Sequence, residues 1–140
     1  EISECLVGSE MCIRDSIVSG VANAGNTEPA TVEVTGLSSA SKYNFTILAV
    51  RFGGSKAART SEYTLKGKNT IGPKEIRTGL KLGTNEGEYA TFEEVPYGEY
   101  ITKFENVEPT ADGKVVIEVV GLSGAATEGH LNALSIKQVQ

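Results

Sequence analysis

Read for alternation, the chain resolves into short runs in which apolar and polar positions trade places, separated by Gly, Asn, Asp and Pro. Thr31-Val32-Glu33-Val34-Thr35 puts both valines on one face and its polar residues on the other, the signature of a half-buried strand. Positions 43–50 put Tyr43, Phe45, Ile47 and Ala49 on one face, while Leu48 and Val50 make the other face apolar toward the end. That pattern predicts a central strand covered on both sides at its far end. A third strand is expected over 59–66 with Tyr63 and Leu65 inward. Positions 68–87, with Leu80 and Leu82, predict one or two short strands. Strands over 88–95 and 99–107 would form a hairpin around Pro96-Tyr97-Gly98. Asp112-Gly113 supplies the residues that tight hairpin turns prefer, and it precedes the most β-prone run, 114–120, whose two faces are both largely apolar. A last strand is expected over 131–139, with a bulge between Leu131 and Leu134 where the parity slips. Turn signals every 8–12 residues without helical periodicity predict an all-β fold, an antiparallel β-sandwich.

Composition adds bounds. With 140 residues the chain is one domain's length, and 39% hydrophobic content without an apolar run near the roughly 20 residues that cross a bilayer predicts no membrane span. The net charge of −5 lies along the chain without a basic stripe, which argues against a nucleic-acid surface.

The beginning of the chain stands apart. Residues 6–16, LVGSEMCIRDS, resemble the translation of a transposon-type sequencing adapter in one reading frame, so positions 1–16 are expected to be non-native. They hold both cysteines, Cys5 and Cys12, and setting them aside leaves 12 basic and 14 acidic residues and no disulfide argument. The single β-sandwich domain is then expected over 17–140, truncated at its front. A first strand lost there would leave a sheet edge open to other partners.

Four stretches, in order, carry a family likeness. They are Val34-Thr35-Gly36-Leu37 with Lys42-Tyr43-Asn44-Phe45-Thr46; Arg51; Arg59-Thr60-Ser61-Glu62-Tyr63-Thr64; and Glu108-Pro109-Thr110-Ala111-Asp112-Gly113-Lys114 with Leu131-Asn132-Ala133-Leu134-Ser135-Ile136. Together, over roughly 28–137, they resemble the jelly-roll accessory domains, related to malectin-like and galactose-binding-like modules, of large secreted bacterial proteins. The resemblance implies a jelly roll, a secreted or cell-surface location, and a non-catalytic binding role. Gly36-Leu37 with Tyr43 and Phe45 also resembles the fibronectin type III core, which stands second because the Asp-Gly turn and the Asn-Ala strand suit the jelly roll better.

Candidate chemistry is sparse. His130 is the lone histidine, without the signature of a Ser-His-Asp or Cys-His arrangement, and is expected in a turn or at the surface. Glu93 and Glu94, adjacent on an expected strand, would point to opposite faces and so not serve one sugar. No cofactor is expected; a structural calcium ion through Asp112 is the one option the residues leave open. Carbohydrate recognition joins an aromatic platform to polar forks, and the candidates are Arg51, Arg59, Tyr97, Tyr100 and Asn132, with Tyr97 the aromatic expected to be exposed. Arg51 and Arg59 have a plainer reading, pairing with Glu62 or capping strand ends. Asn44-Phe45-Thr46 matches a glycosylation sequon at Asn44. Two roles follow. One is a module binding polysaccharide through loop residues. The alternative is a structural subunit of a filament or surface layer, joined to neighbouring copies of itself by strand complementation.

Overall fold

Alternation along the chain becomes alternation of burial. A computed structural model describes residues 5–7, 10–14, 20–22, 29–52, 60–80, 89, 91, 93–122 and 127–140, with 5–7, 10–14, 20–22, 51–52, 80 and 127–128 described as backbone alone. The strands are β1 (Cys5–Val7), β2 (Glu10–Arg14), β3 (Gly20–Ala22), β4 (Ala30–Val34), β5 (Tyr43–Leu48), β6 (Arg51–Phe52) and β7 (Thr60–Lys66). They continue with β8 (Thr70–Arg77), β9 (Gly79–Leu80), β10 (Ile101–Val107), β11 (Val115–Gly121), β12 (Thr127–Gly129) and β13 (Ala133–Gln138). A short 3-10 turn spans Tyr97–Tyr100.

Two antiparallel sheets make the body: a five-stranded one in the order β1-β2-β13-β5-β10 and a four-stranded one in the order β4-β11-β7-β8. Small pairs, β3 with β12 and β6 with β9, flank them. The pairing is nested: β2 with β13, β4 with β11, β5 with β10, and β7 with β8, so outer strands pair with outer and inner with inner. Between the sheets lie Phe45, Ile47, Tyr63, Leu65, Phe104, Ile117 and Val119, all at 0 % exposure. Each such side chain contributes about 1.5–3 kcal/mol relative to standing in water. On one flank Lys74 donates to the Lys103 carbonyl and sits 4.9 Å above the Phe104 ring, tying the edge strands β8 and β10 together.

One end of the sandwich is made of corners. Gly113 N–H donates to the Thr110 carbonyl (2.9 Å), and the Thr110 hydroxyl donates to Asp112 Oδ1 (2.5 Å), closing the Asp-Gly turn. That turn joins two sheets rather than two paired strands: β10 pairs with β5, and β11 lies between β4 and β7. Gly113, at φ +75°, also packs on the corner between β4 and β5, where a Cβ would stand 2.2 Å from the Leu37 carbonyl oxygen. A Cβ on Gly67 would stand as close to the Glu108 carbonyl oxygen, at 2.1 Å. Glu108 binds Lys42 (3.2 Å), beside the corner between β4 and β5, and Lys68 (3.6 Å), in the hairpin turn between β7 and β8.

Two expectations are corrected. Positions 93–94 form a turn, not a strand, and 97–100 a 3-10 turn, not a hairpin turn, because Val95 and Tyr100 are buried in a small second cluster with Val50, and Leu48 and Tyr89 pack against it. Leu131 precedes β13, so its break in parity needs no bulge; the irregularity falls in β10 instead, between Phe104 and Val107. Residues 10–14, inside the segment expected to be foreign, form β2 and cover β13, while Cys5 stands opposite Cys12 in backbone register.

Candidate functional site

The end opposite the corners is where the candidate residues gather. Here β5 runs out at Leu48, β13 begins at Ala133, and Ala49 N–H donates to the Tyr100 carbonyl (3.0 Å), hanging the 3-10 turn from the end of β5. Within that turn Tyr100 faces inward at 3 % exposure, which removes it from the candidate list, while Tyr97 is 39 % exposed, as its place between Pro96 and Gly98 predicts. Glu93, Glu94 and Glu99 are exposed around it.

Asn132 is in the same place with a different task. Its Oδ1 accepts the Val50 N–H at 2.7 Å, and its own N–H donates to the Leu48 carbonyl at 2.9 Å. The side chain thus latches the chain just before Arg51. Arg51 itself lies in β6, whose backbone pairs in parallel with Gly79; its side chain, and all of Arg59, fall outside the described residues. The structure therefore brings Tyr97, Asn132 and the Arg51 backbone to one end.

Beneath this end lies a buried polar group that residue types alone do not betray. His130 is 6 % exposed, correcting its expected turn or surface position. Its backbone N–H donates to Ser61 Oγ at 3.1 Å, and its backbone carbonyl accepts the Tyr63 hydroxyl. Burial holds the Tyr63 phenol well above its ordinary pKa, partly offset by a hydrogen bond with Ser61. Both Ser61 and Tyr63 are fully buried, so the arrangement ties β7 to the segment entering β13 and offers no approach to a substrate.

The remaining candidates lie at the corner end. Asn44 Oδ1 accepts the Asn106 N–H at 3.0 Å, where Asn106 takes the left-handed φ of 56° that Asn tolerates, so the sequon residue supports the β10 irregularity. The Asp112 carboxyl is held below its ordinary pKa by the Thr110 hydroxyl and a backbone N–H, so its oxygens are engaged in the turn. Among the described residues no group of three His, Cys, Asp or Glu stands together as a metal site, and no helix is long and apolar enough to cross a membrane.

Sequence reasoning missed the apolar cluster of Val50, Val95 and Tyr100 that carries Tyr97. Its signal was present in the two-sided character of the end of β5, which the structure explains: Leu48 faces out of the sandwich into this cluster.

No protein-family model matches the chain, and no curated protein matches it. Among solved structures, a chain of the Glycosylation Associate Protein complex from Streptococcus agalactiae is similar over 99% of this chain and 39% of its own length, at 8% identity and a TM-score of 0.36.

Proposed function

We propose that this chain is a non-catalytic accessory module of a secreted or cell-surface protein, built as a jelly roll and binding carbohydrate at its loop end. The observation that carries the reading is the exposed Tyr97 on a turn fastened to the end of β5, beside the Asn132 latch and the Arg51 backbone. An aromatic face held rigidly among polar groups stacks on the apolar face of a sugar ring while its neighbours hydrogen-bond the hydroxyls. The nested pairing, with β2 on the last strand, β13, and the innermost strands β7 and β8 together, supports the jelly roll over the fibronectin type III alternative. The non-catalytic reading draws on the burial of His130 beside the fully buried Ser61 and Tyr63 and on the exposed, turn-borne Glu93 and Glu94. A glycan microarray probed with the full chain and with Tyr97→Ala tests it: the chain should be retained on at least one glycan and the variant released, whereas equal retention would remove Tyr97 from the site.

A second reading keeps one observation of its own. The edge of β13 pairs with a five-residue strand from the adapter-like segment, which supports an edge able to take a strand from a neighbouring copy. Light scattering behind a sizing column decides: filaments or a ladder of masses favour the structural subunit, a monomer at all concentrations refutes it.

A further inference from the structure

The outward faces of the two sheets differ in chemistry. On the four-stranded sheet, charges are tied to one another across strands, Lys66 to Glu118 at 2.6 Å and Lys114 to Glu33 at 3.0 Å. On the five-stranded sheet, the register lays Lys103, Thr46 and Ser135 side by side on β10, β5 and β13. One step toward the loop end the next row is Ile101, Leu48 and Ala133. Inward residues alternate with these, so both rows face away from the core, and Thr46 and Ser135 are half-buried. The cluster of Val50, Val95 and Tyr100 packs on Leu48, so the turn bearing Tyr97 rises as a wall at the head of this floor.

We propose that this floor, headed by Tyr97, is the surface along which a neutral, extended polysaccharide lies, an inference that rests on the binding-module reading. Thr and Ser hydroxyls both donate and accept, and the Lys103 ammonium donates, which matches sugar hydroxyls that need both kinds of partner. Strand spacing sets Lys103 and Ser135 on the order of 10 Å apart, so the row engages consecutive units of an extended chain rather than one sugar. The middle of the row is uncharged, so nothing in it demands an ionic ligand. A protein partner would look for aromatic or Arg anchors in a desolvated centre; the exposed Tyr97 and Ile101 stand at the head of the floor, and its centre, Thr46 and Ser135, provides none. Nucleic acid would need several phosphate-binding cations, and the row holds only one.

Amide chemical shifts of the full chain, titrated in turn with cellohexaose, xylohexaose, laminarihexaose and mannohexaose, test this. For at least one probe, Thr46, Lys103 and Ser135 should shift together, and Thr46→Val combined with Ser135→Ala should weaken binding at least tenfold with the melting temperature unchanged. Shifts confined to Val50, Glu99 and Asn132 would overturn the floor and leave the loop-end site standing. No shift with any of the four, or unaltered affinity of the double variant, would also overturn it, and the former would count against the module reading as well.

Discussion

At the scale of single residues, two positions at the corner end show how little slack the chain has. Gly113 combines a left-handed φ with a carbonyl oxygen 2.2 Å from where a Cβ would sit. Gly113→Ala must therefore move the Leu37 corner or strain the backbone, and we expect a loss of about 2 kcal/mol or more in urea unfolding. Gly36→Ala separates the two causes, because Gly36 shares the positive φ of +81° but has nothing within 4 Å; its loss should be the smaller. Glu108 acts through charge. Its carboxyl sits below the ordinary 4.5 chiefly because Lys42 binds it, with Lys68 adding attraction. Because the folded form holds the proton less tightly than the unfolded chain, its stabilisation is present above about pH 4.5 and fades as the pH falls below that value. The urea midpoint should therefore drop on acidification more for the parent chain than for Glu108→Gln, and by a modest amount, since the pair is exposed.

At the scale of elements, the Asn132 latch is the clearest dependency. Asn132→Ala leaves the Val50 N–H without its acceptor and should cost about 1–3 kcal/mol. Asn132→Asp keeps an acceptor and should lose less. Exchange of the Val50 amide should quicken in the alanine variant while amides of β11 hold, which reads local opening rather than global loss. The elements also show what a sequence exposes. Strands β4, β5 and β7 were legible because each buries one face, and the resulting period of two is a local property, while β11 was legible as a continuous β-prone run. Over 88–95 no such record exists. Val95 is buried by Val50 and Tyr100, neighbours it reaches only through folding, so its apolar character looked like that of a strand residue. The Asp112-Gly113 turn was found for the right reason, yet its residues are the same whether it joins paired strands or turns a corner between sheets. His130 was misplaced likewise, since Ser61 and Tyr63, which bury it, lie 69 and 67 positions away.

At the scale of the whole molecule, the candidate site is a product of pairing order. Nesting β5 with β10 and β13 sets the far end of all three at one place, and there the chain hangs Tyr97 and the Asn132 latch. The same order places Thr46 between Lys103 and Ser135 on one outward face. Had 99–107 instead folded back on 115–121 across the Asp-Gly turn, as a local reading of that turn suggests, neither the end nor the face would exist. The core adds a check on the sandwich itself: Leu65→Ala, at 0 % exposure between the sheets, should cost about 2–5 kcal/mol. The most direct measurement of the nested order is a set of inter-strand proton contacts by nuclear magnetic resonance on the full chain. The account predicts contacts of Ile117 with Val32 and Leu65, and of Phe104 with Phe45. A backbone ladder joining 101–107 to 115–121 would contradict it, and with it the site.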